Sequence, residues 1–193
     1  MTYWLAIVSV VGSALATRWG FNEHDLILEW LFLSPGLLFG AFVLTPIARR
    51  SSVATWRTVA LVASSSLLYF VAARVVADAV TGATGPRLEG PIVAVAALVS
   101  AVANGVLLAL VAWLARWRAE VIWAGAAVLA ASLGGALIGH GFTELSGTAF
   151  DPQLGPWATL WVFLGFAAVQ IPMAAILQLG VKDRHLLASH GAA

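Results

Sequence analysis

Apolar residues fall along this chain in long continuous runs, separated by short polar interruptions. The runs cover 3–18, 26–47, 58–80, 91–114, 121–140 and 157–180. A helix rises 1.5 Å per residue, so about 20 residues cross ~30 Å of hydrocarbon, and each run predicts a transmembrane helix, the first one marginally. A closed barrel is the other way to satisfy a backbone in lipid, but its strands would alternate polar and apolar residues every second position. The pattern therefore predicts an all-α, polytopic membrane bundle of six helices in one transmembrane domain. The longest outer loop is expected at 141–156 and a short tail at 181–193. Ser13-Ala14-Leu15-Ala16 also resembles a small-residue cleavage site, and removal of the first run would leave five spans.

Composition supports the same class. Of 193 residues 61% are apolar and 10% charged, and the mean hydropathy is +0.94. Soluble domains carry ~25% charged residues, so lipid must solvate most of this surface. Cysteine is absent, which excludes disulfides, thiolate nucleophiles, iron–sulfur clusters and Cys-ligated zinc. The net charge of +1 and the lack of a basic run give no basis for a nucleic-acid partner.

The tryptophans (Trp4, Trp19, Trp30, Trp56, Trp113, Trp117, Trp123, Trp157 and Trp161) cluster near the expected helix ends, as an interfacial belt requires. Arg49, Arg50, Arg57, Arg116, Arg118, Lys182 and Arg184 lie on one side, and Arg18, Arg74 and Arg87 on the other. Most acids, including Glu23, Asp25, Glu29, Asp78, Glu89, Glu144 and Asp151, share that second side. Excess Lys/Arg marks the cytoplasmic side, which predicts a multi-pass cell-membrane protein with both termini in the cytoplasm.

Charges inside spans are costly and call for a reason. Glu29, Arg74 and Asp78 are the candidates. Glu29 and Arg74 sit at similar depth on antiparallel neighbours, and Arg74 and Asp78 share a helical face at i and i+4. A rim triad could clamp two helices together, couple an ion or form an outer gate. His140 and Glu144, again at i and i+4, could join His24 of the first outer loop in a metal site or proton switch. Gly141 beside His140, however, predicts that the helix ends there.

Asn104 and Gln170 both fall ~20 Å into their helices, near the midplane. An amide at that depth faces the bundle interior, bonding another helix or lining a polar pathway. Pro35 and Pro172 predict kinks in the second and sixth helices. Gly36/Gly40 and Gly135/Gly139 form two GxxxG spacings suited to close helix packing, within the chain or by self-association with other copies or subunits. With its alanines, the fifth helix is expected to be narrow enough for the bundle centre.

No catalytic residue emerges. Ser–His–Asp order, HExxH and a phosphate-cradling Gly-rich loop with Lys are all missing, and no cofactor is expected. The remaining readings are a transporter or membrane substrate-binding component for a small solute or ion, an accessory or assembly subunit of a larger membrane complex, and an intramembrane enzyme acting on a lipid or isoprenoid.

Overall fold

The computed structural model describes residues 2–22, 30–50, 53–82, 89–115, 120–147 and 155–190. The described residues are almost entirely helical, and the protein is an all-α membrane bundle. We label the helices α1 (Thr2–Asn22), α2 (30–50), α3 (Thr55–Gly82), α4 (Glu89–Leu114), α5 (Val121–Gly147) and α6 (Gly155–His190). Helices α3 to α6 each contain a stretch long and apolar enough to cross a membrane, and α1 holds a shorter apolar stretch, Trp4–Thr17. Trp4, Trp56, Trp113, Trp123 and Trp157 stand exposed close to helix ends, as an aromatic belt requires.

Helix α2 changes winding along its length. A 3-10 turn, Trp30–Leu33, leads into the α-helical Ser34–Phe39, a π-helical segment follows at Gly40–Leu44, and α-helix resumes at Thr45–Arg50. Pro35 lies at the start of the first α-helical piece, where its missing N–H is least costly, so it marks a change of winding instead of a mid-helix kink. Pro46 accounts for the π segment: it has no N–H for the carbonyl four residues back, and its ring crowds that carbonyl. The chain widens by one residue, so that the Thr45 N–H bonds the Gly40 carbonyl, reinforced by the Thr45 hydroxyl at 2.9 Å.

Glycines set the helix spacing. A Cβ on Gly36 would collide with the backbone of Ser65 and Ser66 in α3, and one on Gly135 with the Ala96 carbonyl in α4. Gly134 of α5 and Gly165 of α6 face each other so closely that a Cβ on either would meet the other's carbonyl oxygen, at 2.5 and 2.6 Å. Both GxxxG pairs thus pack inside the chain.

The central helix is α6, half of whose best membrane window is buried, against 22% for α5. This corrects the expectation that small residues would place α5 in the middle. Its glycines allow close approach to α4 and α6, while Leu129 and Leu133 on its other face point outward. Two apolar clusters result, one around Phe39, Leu61, Leu107 and Met173, the other around Val76, Phe142, Val162 and Phe166.

Candidate functional site

The midplane amides have different surroundings. Gln170 is fully buried on α6, and its side chain reaches across to α1. Its Oε1 accepts from the Ser9 hydroxyl at 2.7 Å and its Nε2 donates to the Ser13 oxygen at 3.1 Å. Asn104 turns back on its own helix, donating from Nδ2 to the Ser100 carbonyl at 2.9 Å, while its Oδ1 is buried without a partner.

Tyr69 is on α3. Its ring is flanked by Phe39 and Phe166, each with its centroid 6.4 Å away. The Tyr69 hydroxyl is near Gln170 but outside hydrogen-bonding geometry, and it too is buried without a partner. The Thr17 hydroxyl is in the same condition. Buried polar atoms in proteins are overwhelmingly paired with protein or water, so three unpaired ones in one region require an explanation.

Thr17, Tyr69 and Asn104 line one cavity of about 50 Å³, and Gln170 is not part of its wall. All six helices contribute to its wall, among them Thr17 (α1), Pro35 (α2), Tyr69 (α3), Ser100 and Asn104 (α4), Phe142 (α5) and Phe166 (α6). No lining residue carries a charge. A cavity needs only ~10–15 Å³ of such volume for one water, so this one has room for a few waters or a solute of a few heavy atoms. Most of its wall is apolar, with hydroxyl and amide groups to orient whatever enters.

The charged candidates lie elsewhere. Arg74 Nε meets the Asp78 carboxylate at 3.1 and 3.3 Å, with side chains 44% and 59% exposed. Glu29 and His24 lie outside the described residues. His140 and Glu144 are both on α5, which continues through to Gly147, so the expected helix end at Gly141 is corrected. A glycine costs a helix only ~1 kcal/mol, and close packing against Ala158 and Val162 holds the chain helical there. His140 Nε2 meets Glu144 Oε1 at 3.2 Å, and the imidazole stands edge-on to Trp161 at 5.3 Å. Among the described residues no group of three or more His, Cys, Asp or Glu could hold a metal.

No protein-family model, no curated protein and no solved structure matches this chain. A functional reading therefore rests on the cavity and its polar groups. Sequence reasoning located Asn104 and Gln170 but missed Ser9, Ser13, Thr17, Tyr69 and Ser100. The signal for three of these was present. Ser9, Ser13 and Thr17 recur at i, i+4 and i+8, a polar stripe down one face of α1.

Proposed function

We propose that this protein is a small membrane transporter, or the membrane substrate-binding part of one, for a small uncharged solute. The observation that supports it is the cavity where Thr17, Tyr69 and Asn104 bury polar atoms without partners. A solute with a donor and an acceptor would satisfy those atoms, whereas an ion would be desolvated with no countercharge in the wall. Six spans with both termini in the cytoplasm of a cell-membrane protein fit this reading. They follow from Arg49, Arg50 and Arg57 at one end of the bundle and Asp78 and Glu144 towards the other. The Arg74–Asp78 pair then belongs to the outer rim, with Glu29 as its expected third member.

The test is flux into proteoliposomes containing the purified chain, with water, urea and glycerol as probes and stopped-flow light scattering as the readout. Flux above empty liposomes that falls in Asn104→Leu supports the proposal. Wild-type flux equal to that of empty liposomes for all three probes overturns it.

A second reading, an accessory subunit of a larger complex, is favoured by Trp113, Val121, Ile122 and Trp123, which stand exposed together near the α4–α5 connection. Native mass spectrometry from the host membrane separates the two, since a fixed stoichiometry of foreign subunits would favour the second. Intramembrane catalysis would call for a denser group of acids and bases than His140 and Glu144 provide.

A further inference from the structure

A groove of about 480 Å³ runs between α2 and α3 at the arginine-rich end of the bundle. It is distinct from the interior cavity and shares no lining residue with it. Its polarity is graded. Arg49 and Thr55 stand at the mouth, Thr45 and Thr58 lie about one turn deeper, and Val62 and Leu37 form the apolar floor. At 1.5 Å per residue, Leu37 is ~18 Å below Arg49 along α2, well into the hydrocarbon layer if Arg49 marks its edge.

The groove owes its shape to α2. The π segment Gly40–Leu44 lies between Leu37 and Thr45, and Gly40 brings α2 directly against Val62 of α3. Such segments are rare and frequently occur at functional sites. Above it Arg49 is exposed, with no hydrogen bond or ion pair among the described residues. Arg50 and Arg57 add positive charge at the same end. Arg57 is already engaged, donating from Nη1 to the Leu114 carbonyl at 3.2 Å, and so is not available in the way Arg49 is.

We propose that this groove is a specific site for one anionic phospholipid, with its phosphate on Arg49 and an acyl chain along Val59, Val62 and Leu37. The groove is complementary to such a lipid at both ends: a guanidinium forks onto phosphate oxygens, and an apolar floor continues below it. A soluble anion would leave the floor empty, and a zwitterionic lipid would bring its own cation to the arginine-rich mouth. The site is independent of the transport reading, because the cavity residues lie elsewhere.

The experiment is native mass spectrometry of the full chain released from detergent containing equal amounts of phosphatidylglycerol and phosphatidylcholine with identical acyl chains. One retained phosphatidylglycerol per chain is expected. Arg49→Gln should weaken retention about five- to tenfold, the scale of one arginine at a membrane surface. Arg50→Gln, an exposed neighbour that does not line the groove, should retain the lipid. Val59→Trp, which fills the groove from its exposed wall, should release it with Arg49 intact. Equal retention of both lipids, or equal losses in Arg49→Gln and Arg50→Gln, would overturn the proposal. So would unchanged retention in Val59→Trp, which would mean that the headgroup binds without the groove.

Discussion

Gln170 of α6 accepts a 2.7 Å hydrogen bond from Ser9 of α1, fully buried and across 161 positions of sequence. With Ser13 on its amide nitrogen, Gln170 bonds two successive turns of α1, so the first helix is tied to the central one by polar groups. Hydroxyl–amide pairs between membrane helices average ~0.6 kcal/mol and reach ~1.7 kcal/mol. A double-mutant cycle with Ser9→Ala and Gln170→Leu should give a coupling energy in that range, measured by reversible unfolding in mixed micelles. A coupling of zero would mean that Ser9 is satisfied elsewhere.

Tyr69→Phe reports on what fills the cavity. If the hydroxyl is unpartnered, its removal should raise stability by about 1 kcal/mol, since a buried group without a bond costs ~1–3 kcal/mol. A loss of stability would show that a water or solute bonds the hydroxyl. Thermal melts with and without each candidate solute would tell these apart, because a bound solute stabilises the wild type more than the variant.

The crossing of α5 and α6 should tolerate no side chain. Gly134→Ala puts a methyl group against the Gly165 carbonyl backbone and the Val169 side chain, and should cost at least the ~1–3 kcal/mol of an overpacked core. Gly125→Ala on the same helix meets nothing within 4 Å and should be neutral or gain ~0.5–1 kcal/mol from helix propensity. Paired melts of the two variants check both signs.

Arg57→Gln removes a cation from the last carbonyls of α4, where Nη1 bonds Leu114. Favourable charge at a helix C-terminus is worth ~0.3–1 kcal/mol, and the variant should lose about that much, with salt reducing the difference. A salt titration of the two melting temperatures is the check.

Arg74 and Asp78 form an exposed i, i+4 pair, so Arg74→Ala should change stability by no more than ~0.5 kcal/mol. A loss of solute flux at unchanged stability would make the pair functional, whereas unchanged flux would leave it a surface contact.

Much of the architecture was legible in residue order. The two deep amides stood out because few groups are more costly in hydrocarbon. The hydroxyls of α1 did not stand out, because serine and threonine can bond their own helix backbone and pass unremarked in an apolar run. Ser13 also fits the small-residue pattern of a cleavage site, and only the position of α6 shows that it faces Gln170. Pro46 does not stand out in an apolar run, yet its missing N–H accounts for the π winding at Gly40–Leu44.

The sequence by itself determined that this is a helical membrane protein, because a helix satisfies its own backbone and hydropathic length is a local property. It also placed the tryptophans near the helix ends. The tertiary structure alone decided that α6 is central, that Gln170 bonds α1 while Asn104 does not, and that Thr17, Tyr69 and Asn104 meet around one cavity. The reason lies in the solvent. Between helices already in lipid, apolar burial gains little, so their arrangement follows from close fit at glycines and from a few polar bonds. Those relationships join residues far apart in the chain, and no local pattern encodes them.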